Sequence, residues 1–192
     1  MSKNNWKQEI FSIPNLLSFF RLALIPVYIL TYLNAEEWYE YAVSGGILAV
    51  SCLTDMVDGK IARKYNMITT LGKILDPVAD KATQFALTVC LSIEYPVLRC
   101  VLVLFVIKEL FQGVAGLLYL RKGLMLPGAI FAGKICTTIL FITLIVMVLF
   151  PSLPGNVITG IAVLDSAFLS FSFISYIFAY FGRNQKLEEL NP

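Results

Sequence analysis

Residues 55–81 read DMVDGKIARKYNMITTLGKILDPVADK. Four carboxylates (Asp55, Asp58, Asp76, Asp80), two glycines and Arg63 stand here in a chain whose other long stretches are apolar. Charge at membrane depth is costly, so such residues face a protein interior and mark a functional site. The rest of the chain reads as the helices that hold this site at the edge of a bilayer.

If residues 55–63 end a helix, about 100° per residue puts Asp55, Asp58, Gly59, Ala62 and Arg63 within roughly 140° of one another. After a short turn, Gly72, Asp76 and Asp80 are spaced i, i+4, i+8 and stack along one face. Two antiparallel neighbours bring these faces together, and four adjacent carboxylates cannot all stay ionised without cations. Oxygen ligands without His or Cys suit a hard divalent ion, Mg²⁺ or Mn²⁺. Four Asp shared by two helices suit a two-metal site that clamps the attacking and leaving oxygens of a phosphoryl displacement. Gly59, Ala62 and Gly72 leave room for a flat or bulky group against the backbone. Arg63 suits a bidentate grip on phosphate. Pro77, without an N–H, is expected to bend the third helix near Asp76. The bland alternative is a solvated loop with ordinary surface charges, which requires Asp at none of these spacings.

Outward from this stretch, the 192 residues are 58% hydrophobic and 15% charged, against about half and a quarter in soluble domains. The excess lies in runs of roughly 20 residues, the thickness of a bilayer. The reading is an all-α polytopic membrane protein of one domain over residues 1–192. A short amphipathic helix lies on the membrane surface at 1–12, a six-helix transmembrane bundle fills 13–182, and a polar tail occupies 183–192. The expected spans are 13–33, 42–57 running on into polar 58–64, 71–96, 97–120, 129–150 and 157–181. Pro14 suits the first helix start and Pro26 is expected to kink that helix. The polar opening does not read as a cleavable signal.

Lys3, Lys7, Lys60, Arg63, Lys64, Arg121, Lys122, Arg183 and Lys186 fall on one side of this layout. The positive-inside rule therefore places both termini and the carboxylates at the cytosolic face. The net charge of +2 does not suggest nucleic acid. With no histidine, His-based acid–base catalysis and His-ligated metals are excluded. Cys52, Cys90, Cys100 and Cys136 form no metal or redox spacing and read as small buried hydrophobes.

The pattern Asp55-x2-Asp58-Gly59-x2-Ala62-Arg63-x8-Gly72-x3-Asp76-x3-Asp80 resembles the signature of the CDP-alcohol phosphatidyltransferase family at every defined position. The opening SIPNLLSFFRLALIP is similar to the first helix of that family's phosphatidylglycerophosphate and cardiolipin synthases. The resemblance is strong over 13–81 and weak after 125. It implies transfer of a phosphatidyl group from CDP-diacylglycerol to an alcohol with release of CMP. It also implies that Asp55, Asp58, Asp76 and Asp80 hold two divalent cations, Mg²⁺ or Mn²⁺, with Asp80 as general base. Asp58, Gly59, Ala62 and Gly72 would line the cytidine, and Arg63 would hold a CDP phosphate. A short chain without a targeting extension suits a bacterial cell membrane.

The acceptor is expected to lie near Arg21, Lys108, Glu109, Lys134 and Thr137. Lys108-Glu109 and Lys134 fall inside apolar runs, where charge reads as functional; local Lys–Glu neutralisation or a snorkelling lysine is the structural alternative. In the resembling phosphatidylglycerophosphate synthases the matching segments read A-R-E, an Arg eight residues later, and G-K-x-K-T. Here they read Ile107-Lys108-Glu109, Gly116, and Gly133-Lys134-Ile135-Cys136-Thr137. Two cations are missing and one Arg is Lys, which loses bidentate phosphate recognition. Glycerol 3-phosphate, a dianion, stays the first acceptor. Phosphatidylglycerol, with a monoanionic diester, is the alternative and would make the chain a cardiolipin synthase. The histidine-dependent phospholipase-D-type cardiolipin synthase is excluded. A divalent-cation transporter is a remote rival, and a catalytically dead scaffold a third. Asp165 in the sixth span either reaches the central cavity or bonds a neighbouring helix. The aromatic residues of that span suit lipid contact, and also the face of a homodimer, which members of the family often form.

Overall fold

The computed structural model describes residues 12–64, 69, 71–121 and 131–188; side chains at 14, 56, 58–64, 73–74, 119–120, 132 and 181–188 are outside that description. The expected surface helix at 1–12, apart from Ser12, lies outside the described residues. So do the side chains of Asp58, Gly59, Ala62 and Arg63.

The described residues form six α-helices: α1 Ile13–Leu33, α2 Trp38–Lys64, α3 Gly72–Glu94, α4 Arg99–Arg121, α5 Phe131–Leu149 and α6 Gly155–Glu188. A 3₁₀ turn at Pro96–Leu98 precedes α4. Each expected span has its helix. The difference lies at the end, where α6 continues to Glu188 through most of the stretch expected to be a polar tail. That stretch is rich in Lys, Leu, Glu and Gln, all good helix formers, and holds no proline before residue 192.

Local chemistry sets the helix ends. Pro14 occupies the first turn of α1, where its missing N–H costs nothing. Asn34 closes α1, its side-chain amide donating to the Leu30 carbonyl at 2.7 Å. From the first turn of α2, the Glu40 carboxylate accepts from the N–H groups of Glu36 (2.6 Å) and Glu37 (3.1 Å). These bonds hold Glu40 below the usual carboxylate range. Helices α1 and α3 run through Pro26 and Pro77.

The distribution of polarity is that of a membrane protein. Leu30, Leu53, Leu110, Val163 and Phe178 are exposed, while Asn15, Ser18, Arg21, Ser51, Thr88, Lys108, Asp165 and Ser172 are buried. In water such apolar exposure would drive association; in lipid it faces the acyl chains, and polar residues bond between helices. Three segments, Asn15–Leu33, Pro96–Leu118 and Gly155–Tyr180, are long and apolar enough to span a bilayer. Helices α2 and α3 fall short of that measure because each carries part of the acidic stretch at one end. The chain is an integral membrane protein.

The chain falls into two compact units, residues 1–90 with 148–151, and 91–147 with 152–192. In the first, α1 packs on α2 and its core holds Tyr28, Tyr32, Leu48, Ala79, Ala86 and Leu87. In the second, α4 packs on α6 and the 3₁₀ turn touches both. Its core includes Leu98, Val101, Phe105, Leu140, Leu144 and Leu169.

Candidate active site

Three polar residues on α1, spaced i, i+3, i+6, face the acidic helix. Asn15 Oδ1 accepts from Thr69 Oγ1 at 3.1 Å, and Thr69 Oγ1 accepts from the Gly72 N–H at 2.9 Å. Ser18 Oγ donates to Asp76 Oδ1 at 2.6 Å. Arg21 Nη1 donates to Asp80 Oδ1 at 2.6 Å. Steps of three on α1 thus match steps of four along Gly72, Asp76 and Asp80 on α3, and the two helices run parallel at this contact. All of these residues belong to the first unit.

Arg21 ties α2 into the same cluster. Its Nη1 also lies 2.6 Å from Asp55 Oδ1. One nitrogen with two hydrogens therefore serves two carboxylates from two helices. The guanidinium is 2% exposed, whereas the Asp55 and Asp80 side chains are 45% and 50% exposed. The cation is buried where the two carboxylates it joins are about half exposed. Asp55 and Asp76 are both close enough for their charges to act on Asp80. The backbone helix over 55–64 agrees with the expected continuation of α2 through the motif.

Gly72 is needed for the approach of α1. A Cβ there would meet Asn15 Oδ1 at 2.7 Å and Thr69 Oγ1 at 3.0 Å, and both atoms are held by the hydrogen bond between them. Gly72→Ala is therefore expected to cost about 1–2 kcal/mol, the scale of a small overpacking, and to lower turnover. Thermal unfolding in detergent checks this, and an unchanged midpoint would show that Asn15 yields freely.

The sequence reading grouped Arg21 with the acceptor residues; the structure places it among the carboxylates. Of the others, Lys108 is 1% exposed and its Nζ lies 2.7 Å from Glu109 Oε1. Lys134 is exposed on the first turn of α5. Thr137 donates within its own helix, to Gly133 and Lys134 carbonyls at 3.0 Å each. These four lie in the second unit. Asn15, Ser18 and Thr69 were not singled out from sequence as site residues. A polar stripe at i, i+3, i+6 in an apolar helix was the signal for the first two.

A sequence model of the CDP-alcohol phosphatidyltransferase family matches residues 11–175. The chain belongs to that family. It is a phosphatidyltransferase of phospholipid biosynthesis. It is 31% identical over 165 residues to a Mycobacterium tuberculosis protein named "Probable phosphatidylglycerophosphate synthase", covering 85% of this chain and 78% of that one. It is 44% identical over 71 residues to a CDP-diacylglycerol--glycerol-3-phosphate 3-phosphatidyltransferase of Escherichia coli, 37% of this chain and 38% of the relative. It is 37% identical over 89 residues to a cardiolipin synthase (CMP-forming) / mitochondrial hydrolase fusion protein of Schizosaccharomyces pombe, 46% of this chain and 14% of that protein.

The family works with divalent metal ions. The donor set here fits such ions: oxygen ligands from neighbouring helices, half exposed, already gathered around one buried cation. Among the described residues no group of three His, Cys, Asp or Glu side chains is spaced as a metal site by itself. The Asp58 side chain is outside that description.

Proposed function

We propose that this phosphatidyltransferase uses CDP-diacylglycerol and glycerol 3-phosphate, forming phosphatidylglycerophosphate and CMP at the cytosolic leaflet of a bacterial cell membrane, with both termini on that side. The observation that carries the site is that buried Arg21 joins the half-exposed carboxylates Asp55 and Asp80, with Asp76 fixed by Ser18 one turn from Asp80. Asp55, Asp58, Asp76 and Asp80 hold two divalent cations, Mg²⁺ or Mn²⁺. When bound, these ions neutralise the pyrophosphate and make its phosphorus easier to attack.

The chain's own residues do the rest. Arg21 offsets the repulsion among the carboxylates and fixes Asp80 through Oδ1, leaving the second oxygen of Asp80 to take the acceptor's proton as general base. Ser18 fixes Asp76 in the same way. Arg63 grips a phosphate of the CDP group, and Asp58, Gly59, Ala62 and Gly72 line the CDP-lipid. The acceptor hydroxyl forms a bond to the phosphorus that carries the diacylglycerol, the P–O bond to CMP breaks, and the hydroxyl proton passes to Asp80. Lys108, Glu109, Lys134 and Thr137 form the acceptor side. Exposed aromatic residues on α6, Phe171 and Phe178, suit lipid contact or a homodimer.

One observation favours a second acceptor. Lys108 is already neutralised by Glu109, which reduces the net positive charge available to a dianion. A monoanionic phosphodiester such as phosphatidylglycerol needs less, so cardiolipin synthesis is the second reading. Purified protein in detergent with CDP-diacylglycerol and Mg²⁺ or Mn²⁺ is the test, read as CMP release. Release with glycerol 3-phosphate alone supports the first reading, and release with phosphatidylglycerol alone the second. Silence with both overturns both acceptors.

A further inference from the structure

Helices α5 and α6 are fastened together at two places within the second unit. At one, the Tyr176 ring lies against Gly133, where a Cβ would collide with the phenol oxygen and meet Cε2 at 2.8 Å and Cζ at 3.0 Å. Tyr176 is itself held by stacking on Tyr180, which packs edge-on against Phe111 of α4. At the other, Thr143 Oγ1 lies 3.0 and 2.9 Å from the two carboxyl oxygens of Asp165. The two fastenings are about 15 Å apart along each helix, at 1.5 Å per residue. Lys134 and Thr137 lie between them in sequence on α5.

Asp165 is 1% exposed. Thr143 is its one hydrogen-bond partner among the described residues, and no Lys or Arg among them pairs with it. The proton count around Thr143 decides what this contact is. Its Oγ1 also lies 3.0 Å from the Ile139 carbonyl oxygen and 2.8 Å from that of Leu140. A threonine hydroxyl has one hydrogen, and four oxygens surround it. If that hydrogen points to an ionised Asp165, the Leu140 carbonyl faces a bare lone pair at hydrogen-bond distance. If it points to Leu140, an ionised Asp165 faces the lone pair instead. A hydrogen on Asp165 meets both demands: its O–H donates to Thr143 Oγ1, and Thr143 donates to Leu140. The surroundings agree, since a carboxylate without a cation in the hydrocarbon region is costly.

We propose that Asp165 is a protonated positioning residue, and that its hydrogen bond to Thr143 sets the register of α5 against α6 and so the placement of Lys134 and Thr137 for the acceptor. The second half rests on the acceptor side proposed above. The first half does not.

The test uses the full chain in detergent, with Asp165→Asn, Asp165→Leu and Thr143→Val. Infrared difference spectra at neutral pH should show a protonated-carboxyl C=O band in the wild type that Asp165→Asn lacks. Identical spectra would overturn the protonated state. In CMP release, Asp165→Leu and Thr143→Val should raise the acceptor KM about threefold to tenfold, the range of interhelical hydrogen bonds in membranes, with the CDP-diacylglycerol KM unchanged. Asp165→Asn should keep the wild-type acceptor KM, because its amide N–H still donates to Thr143. An Asn variant as impaired as Leu, or equal rises in both KM values, would overturn the positioning role. Thr143→Val nearly conserves volume and covers the case in which Asp165→Leu does not fold. The KM is measured with whichever acceptor supports CMP release. If glycerol 3-phosphate fails as acceptor, the infrared band and the Asn rescue still decide this proposal separately.

Discussion

Asp80→Asn is expected to abolish turnover, by about a thousandfold or more, while CDP-diacylglycerol still binds. The substitution keeps the shape of the side chain and one oxygen for Arg21 Nη1, which now reaches it at 2.6 Å. It removes the negative charge and the capacity to take a proton. General-base removal alone costs about 10²–10⁴ in rate, and on the proposed reading the loss of a metal-holding carboxylate adds to it. On the proposed reading, binding of the CDP-lipid draws on Arg63 as well, so it should survive. CMP release measures the first, and a ligand-induced shift in the unfolding midpoint measures the second. Turnover within tenfold of wild type would remove Asp80 from the base role. Loss of both turnover and binding would instead make Asp80 chiefly a binding group.

The sequence made the helices and the acidic stretch legible because both are local properties. Apolar runs of bilayer length mark α1, α4 and α6 by themselves, and the charged break after residue 57 marks the turn between α2 and α3. Asp76 and Asp80 share a face by helical spacing alone. Their supports were not legible, since each comes from another helix. Ser18 reaches Asp76 and Arg21 reaches Asp80 across almost sixty positions of chain. The contact of Gly72 with Asn15 and Thr69, which its missing Cβ allows, was equally out of reach of a single-helix pattern. Asp165 looked isolated because Thr143, one of many threonines in apolar runs, carries no signal of its own. The aromatic residues of α6 were expected to face lipid or a second copy of the chain. In the structure Phe173, Tyr176 and Tyr180 turn towards α4 and α5, with Phe111 edge-on to Phe173 and Tyr180.

Arg21→Met should expose what the guanidinium does. Its removal leaves Asp55 and Asp80 facing each other without the cation that joins them. Breaking a fully buried ion pair costs about 3–5 kcal/mol. Both carboxylates are about half exposed and can hydrate, so a loss of about 1–3 kcal/mol is the better expectation after that discount. The loss should be largest in EDTA. A ligand that binds only the folded state stabilises it by mass action, and two carboxylates freed of Arg21, beside Asp76, present a stronger field to a divalent cation. Added Mg²⁺ should therefore raise the unfolding midpoint of Arg21→Met more than that of the wild type, although turnover stays low because Asp80 has lost its orienting contact. Arg21→Lys should recover part of the EDTA stability, since an ammonium restores the charge but not the planar donor geometry. The acceptor-binding role first read for Arg21 makes the opposite forecast. A residue that only gripped the acceptor phosphate would, when replaced, raise the acceptor KM and leave the EDTA and Mg²⁺ midpoints as they are in the wild type. The burial of the guanidinium beside two carboxylates favours the first outcome, and the pair of midpoints tells the two apart without any reference to rate.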